Sequence, residues 1–159
     1  MYYQILEVTD GQFKKQYAEQ ILRCLPEWFG NEESLVEYVE TVDKYPFFGA
    51  FENEVCVGFF SGKIHHERTG DIYVCGIHPK HHRKGLGKQL YEALEQHFIH
   101  QGCEYVIVKT LSPLHTDIHY ALTREFYEAI GFKEFYTDYN IWDEENPCLM
   151  MIKYLGEVV

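Results

Sequence analysis

The chain has 159 residues, and an apolar content of 46%, with 13 Tyr and 11 Phe, is enough to bury one compact core and excludes a disordered chain. A formal net charge of -11 excludes nucleic acid as the main partner, because neutralising phosphates takes a broad basic face. The five cysteines, at 24, 56, 75, 103 and 148, are odd in number and form no C-x-x-C pair, which argues against a disulfide framework or a zinc site and implies a reducing cytoplasm.

No apolar stretch approaches the roughly 20 residues that span a bilayer. The start, Met1-Tyr2-Tyr3-Gln4-Ile5-Leu6-Glu7, lacks the basic residues and apolar run of a leader. A soluble, unprocessed, cytoplasmic protein with no membrane partner is expected. With no internal repeat, low-complexity tract or Pro/Gly/Ser linker, residues 1–159 read as a single domain.

Residues 2–8 alternate like a strand. Residues 12–25 predict a helix carrying Phe13, Tyr17, Ile21 and Leu25 at four-residue spacing, stopped by Pro26. Leu25-Pro26-Glu27-Trp28-Phe29-Gly30 reads as an apolar loop with one acid, and residues 32–42 as a second helix with Leu35, Tyr38, Val39 and Val42 on one side. Residues 47–52 and 55–65 predict a hairpin turned at Glu52-Asn53-Glu54, with a third strand over 72–78.

Leu86, Leu90, Leu94 and Phe98 recur every four residues, predicting a helix over 85–100 that ends near Gly102. Residues 105–108 read as a short buried strand, parallel to the one before that helix. Thr116 or Asp117 caps a further helix carrying Leu122, Phe126, Ala129 and Ile130, which Gly131 ends. Strands over 132–139 and 149–154 close the chain. The fold class is therefore α/β of the α+β kind, with one β-α-β crossover inside an otherwise antiparallel sheet.

The most informative stretch follows the third strand. Between Asp71 and Glu92 there is no acidic residue, although the chain has 25 of them, while Lys80, Arg83, Lys84 and Lys88 fall inside that gap. Gly85 and Gly87 stand where the strand gives way to the helix. A helix N-terminus carries unpaired N–H groups and a partial positive charge, and glycines let such a backbone come close to an anion. Strand, basic glycine turn and amphipathic helix together read as a cradle for a pyrophosphate.

On these residues the chain resembles the GCN5-related N-acetyltransferase superfamily, whose acetyl-CoA signature is (Arg/Gln)-x-x-Gly-x-(Gly/Ala). His82-Arg83-Lys84-Gly85-Leu86-Gly87 matches it, with His82 in place of the Arg or Gln. Phe126-Tyr127-Glu128-Ala129-Ile130-Gly131-Phe132 is similar to the family's (Leu/Phe)-Tyr-x-x-x-Gly-Phe segment. Seven and four residues before that tyrosine, where the family carries Asn and Ala, this chain has Tyr120 and Thr123.

The resemblance implies a mixed, mostly antiparallel sheet in which the two parallel strands splay apart. Cys75, Gly76 and Ile77 would offer unpaired backbone groups there to the pantetheine and acetyl arm, and the N–H of Ile77 or its neighbour would stabilise an oxyanion. His82, Arg83, Lys84, Gly85, Leu86, Gly87 and Lys88 would hold the pyrophosphate. Tyr127 would protonate the departing thiolate. The cosubstrate implied is acetyl-CoA and the partner a primary amine, of a small molecule or a peptide.

Glu27, Trp28, Phe29 and His115 fall where the acceptor would sit. Glu27, Glu33, Asp71, Tyr73 and His115 are candidates for the base that takes the amine's proton, each equally readable as structural. Cys75 reads as a packing residue rather than a nucleophile. Nine histidines include no H-E-x-x-H pattern, so no metal is expected. A non-catalytic acyl-CoA binding or sensing module is the alternative function, and a homodimer is compatible with either.

Overall fold

A computed structural model describes residues 2–157. In chain order it contains β1 (Gln4–Glu7), α1 (Gly11–Leu22), α2 (Glu32–Thr41), β2 (Phe47–Glu52), β3 (Val55–His65), β4 (Thr69–Ile77), α3 (Leu86–His100), β5 (Tyr105–Leu111), α4 (Ile118–Ala129), β6 (Lys133–Asp143) and β7 (Asn146–Tyr154). Short 3-10 turns at Val42–Lys44 and Pro79–His81 link α2 to β2 and β4 to α3. The strands form one seven-stranded sheet in the order β1-β2-β3-β4-β5-β7-β6, antiparallel except for the β4/β5 pair. The expected mixed sheet with a single β-α-β crossover is present.

Each face of the sheet has its own core. Leu86, Leu90, Leu94 and Phe98 of α3 are all essentially buried, with Val106, Val108 and Tyr127 beside them. Burial of each such side chain contributes about 1.5–3 kcal/mol, which clamps α3 across the sheet. On the other face, Ala18, Ile21, Leu22 and Leu35 of α1 and α2 pack on Phe47, Phe59 and Val74.

The expected apolar stripes of α1 and α4 are each displaced. Phe13 is 49% exposed and stacks on Tyr17 at 5.7 Å, while Lys14 turns inward. The Lys14 Nζ donates to the carbonyl of Tyr45 at 2.6 Å and of Asp43 at 3.4 Å, so a polar end fills a core-facing position with two of its donors bonded. On α4, Leu122 is 50% exposed and Tyr127 takes the buried position. Helix α1 also stops at Leu22, ahead of the expected Leu25, because Cys24 and Leu25 donate to Ile21 and Leu22 in a tighter turn.

The feature that opens the sheet is the β4/β5 ladder. It pairs Thr69 through Ile72 with Tyr105 through Val108 and ends there. Beyond it, β4 stays on β3, and residues 109–111, which extend β5 three past its expected end, stay on β7. On β4 Ile72 faces Gly62 and Val74 faces Ser61, leaving Tyr73 as an extra residue. Such a bulge bends its strand and increases its twist, and here it sits at the last β4/β5 pair. The two strands part in a V.

Candidate active site

The V has unpaired backbone on the β4 side. His78 donates its N–H to the carbonyl of Val57 on β3 at 2.8 Å, so its backbone faces β3. Backbone groups alternate in direction along a strand, so those of Ile77 and Cys75 face the gap and those of Gly76 face β3. Of the three residues expected to offer backbone groups, Gly76 therefore differs. A Cβ on it would lie 2.8 Å from Leu25 Cδ1 and 3.1 Å from Ile21 Cγ2, so its bareness admits the end of α1 and the turn after it.

His82 reaches back to this strand. Its Nε2 lies 2.6 Å from the carbonyl oxygen of Ile77, which only accepts, so Nε2 carries the proton. The side chain in the family's Arg/Gln place thus pins the cradle to the mouth of the V and leaves the Ile77 N–H as the open group.

The cradle itself is Arg83 to Lys88. Gly85 caps α3 with φ +77, and a Cβ there would meet nothing within 4 Å. Arg83 holds a left-handed φ of +61. The first helical bond runs from the Gln89 N–H to the Gly85 carbonyl at 3.2 Å, so the amides of Leu86, Gly87 and Lys88 have no partner in the helix. Arg83, Lys84 and Lys88 are exposed around them, and Leu86 is buried as the anchor. Gly87 has a packing reason for its bareness as well. Its missing side chain faces inward, where a Cβ would lie 2.9 Å from the Phe126 ring, so it lets α3 start close against α4.

Tyr127 comes from the opposite wall. Asp117 caps α4, its carboxylate accepting from the N–H groups of His119 and Tyr120 at 2.8 and 3.3 Å. Three turns on, Tyr127 is 4% exposed with its hydroxyl 3.5 Å from the Cys75 sulfur. Burial, with the charge a Cys75 thiolate would carry beside it, holds the Tyr127 phenol well above its ordinary range. Burial likewise pushes the Cys75 thiol up to about 11, the hydrogen bond from Tyr127 offsetting part of this. Both groups are neutral near pH 7, which makes Cys75 a poor nucleophile.

The Leu25 to Gly30 loop reaches α4. The Trp28 indole N–H donates to Thr123 Oγ1 at 3.0 Å, and the Tyr120 hydroxyl donates to the Trp28 carbonyl at 3.1 Å. The indole also stands edge-on to His119 at 5.2 Å and to His82 at 6.3 Å, bridging α4 and the cradle. Phe29 meets Tyr38 at 6.0 Å, and Tyr38 meets Tyr73 at 5.2 Å. Burial pushes the Tyr38 and Tyr120 phenols up to about 12. The two departures from the family pattern on α4 are the side chains that dock Trp28, a use that their sequence positions alone did not suggest.

The candidate bases are dispersed. Glu27 and Glu33 are exposed. Asp71 is 4% exposed and held by His65 Nε2 at 2.8 Å and Lys109 Nζ at 3.5 Å. Tyr73 shares a hydrogen bond with Thr41 Oγ1 at 2.6 Å, and His115 Nδ1 accepts from the Asp117 N–H at 3.2 Å. Among the described residues no cluster of three or more His, Cys, Asp or Glu is arranged to hold a metal ion, and no helix is long and apolar enough to cross a membrane.

Residues 4–132 match the acetyltransferase (GNAT) family. A stretch of 97 residues, 60% of this chain, is 34% identical to the mycothiol acetyltransferase of Streptomyces scabiei and covers 30% of that protein's length, so the chain spans about a third of this curated relative. Among solved structures, a GNAT-family protein from Desulfovibrio desulfuricans superposes with a TM-score of 0.85 at 18% identity, over 98% of this chain and 100% of that one. An aminoglycoside 6'-N-acetyltransferase complexed with coenzyme A gives 0.76 at 18% identity, over 100% and 99%. These identities speak for the fold alone; with the family match over most of its length, the chain belongs to the acetyltransferase (GNAT) family.

Proposed function

We propose that this protein is an acetyl-CoA-dependent N-acetyltransferase that acts on a primary amine of a small molecule or a peptide, with Tyr127 as general acid. The observation that carries it is the convergence of three groups on one opening in the sheet. These are the gap-facing backbone of Cys75 and Ile77, the free amides at the start of α3, and the Tyr127 hydroxyl beside Cys75. Acetyl-CoA fits this set: an anion-binding turn at one end, unpaired strand groups at the other, and neutral side chains where a thioester would lie. The coenzyme A held by the structurally similar aminoglycoside acetyltransferase supports the same cosubstrate.

In this reading Leu86, Gly87 and Lys88 offer amides to the pyrophosphate, with Arg83, Lys84 and Lys88 adding charge. The Ile77 N–H polarises the acyl oxygen. Tyr127 gives its proton to the thiolate as the amine takes the acyl group. The acceptor lies beside Trp28 and Phe29, flanked by Tyr38 and Tyr73. A primary amine of pKa near 10.4 is neutral in only about one molecule in 2,500 at pH 7, a handicap of roughly 4.6 kcal/mol, so proton removal through water is part of the scheme. Residues 1–159 act as one catalytic domain, in the cytoplasm.

The test is thiol release from acetyl-CoA across amines, amino acids, aminoglycosides and peptides, with the amine-free rate subtracted. Release that depends on one class of amine is expected. Tight CoA binding without release for any class would overturn the transferase reading in favour of a sensing module.

A further inference from the structure

Thr110 lies on β5 two residues past Val108, the last β5 residue paired with β4, and so borders the V. Residues two apart on a strand share a face. Thr110 therefore points the same way as Val106 and Val108, which pack in one core with Tyr127, Cys75 and Ile77. Helix α4 lies over this end of β5, where Arg124 Nη1 donates to the Leu111 carbonyl at 2.6 Å.

The residue is 2% exposed and its Oγ1 has no hydrogen-bond partner. The other buried hydroxyls of this region are satisfied: Ser61 Oγ donates to the Pro46 carbonyl, and Ser112 Oγ accepts from the Leu114 N–H. The two remaining unpartnered buried side-chain polar atoms among the described residues are carboxylate oxygens, of Asp43 and Glu52. A buried hydroxyl left alone is destabilising, because it gives up its hydrogen bond to water and gains none in return. Valine has the same shape without that cost and already fills the two preceding positions on this face.

We propose that Thr110 is a cofactor-positioning residue whose hydroxyl hydrogen-bonds the amide and thioester end of the acyl-CoA arm between β4 and β5. The inference rests on the reading of this site as the acetyl-CoA site. It assigns the β5 wall a polar contact, where the β4 wall offers backbone only. Docking the arm supplies the partner that the fold does not.

Thr110→Val and Thr110→Ser variants test it, with melting temperature read beside calorimetric binding of CoA and of adenosine 3',5'-bisphosphate, which lacks the arm. Loss of one hydrogen bond of about 0.5–1.5 kcal/mol predicts CoA binding roughly 2–13-fold weaker in the valine variant. Melting should be unchanged or raised, bisphosphate binding unchanged, and CoA affinity restored by serine. Unchanged CoA binding in Thr110→Val overturns this inference alone, as does equal weakening of both ligands or a fall in melting temperature that accompanies the weakening. Failure of the wild-type protein to bind CoA overturns the reading of the site, and this inference with it.

Discussion

The hydroxyl of Tyr127 and the sulfur of Cys75 lie 3.5 Å apart although 52 residues separate them in the chain, joining α4 to β4 across the opening in the sheet. Removing the hydroxyl alone tests its role. Tyr127→Phe keeps the ring, so melting and CoA affinity should hold, while kcat falls by about 10²-fold, the usual scale of general acid catalysis. Unchanged kcat would remove Tyr127 as the acid. Because burial keeps this phenol protonated well above its ordinary range, kcat/KM should show no falling limb from it between pH 6 and 9. Direct transfer, as proposed, uses no acyl-cysteine, so Cys75→Ala should stay active within a few-fold.

Burial also sets how the fold responds to alkali. Tyr38, Tyr91, Tyr120 and Tyr127 are all raised, first by burial, and Cys56 and Cys75 are pushed up to about 11. Below the unfolded values, about 8.5 for thiols and 10 for phenols, both states keep these protons and stability does not respond to them. Above them the unfolded chain ionises first, so stability falls as pH rises. The urea midpoint should drop from about pH 9 and more steeply past pH 10. A midpoint that held steady between pH 9 and 11 would contradict this.

The two cradle glycines should fail in different ways. Gly85→Ala strains a left-handed φ with open space around it, costing about 1 kcal/mol and altering the anion-facing backbone directly. Gly87→Ala drives a methyl against Phe126, an overpacking cost of about 1–3 kcal/mol. Phe126→Leu should recover stability in the Gly87 variant and leave the Gly85 variant unimproved. Equal rescue of both, read by thermal melting, would place the two glycines in one role.

How far this molecule is legible in its sequence depends on how local each signal is. The cradle is local, so the strand, the basic turn, Gly85 and the Leu86 to Phe98 stripe mark it. In α1 and α4 the apolar spacing misleads, because Lys14 and Tyr127 take core positions with their polar ends occupied, leaving Phe13 and Leu122 outside. The β4/β5 ladder ends beside a single extra residue, Tyr73, which no alternation pattern reveals. Thr110 reads as one more β-branched strand residue; only its burial without a partner sets it apart.

Least legible is the docking of Trp28 on Thr123, 95 residues away, and it carries the last prediction. Trp28→Phe removes the indole N–H and leaves an aromatic ring; Thr123→Val removes the acceptor at constant shape. Each should cost about 1 kcal/mol, and because the two remove the same hydrogen bond, the double variant should cost little more than either single one. With Trp142 replaced by Phe, Trp28 becomes the only indole, and its emission should shift toward that of a wetter environment in Thr123→Val. Since the loop spans α4 and the cradle, the acceptor KM should rise more than kcat falls. Fully additive costs in the cycle, or emission that ignores the loss of the Thr123 hydroxyl, would detach Trp28 from α4 and leave its loop as a packing corner.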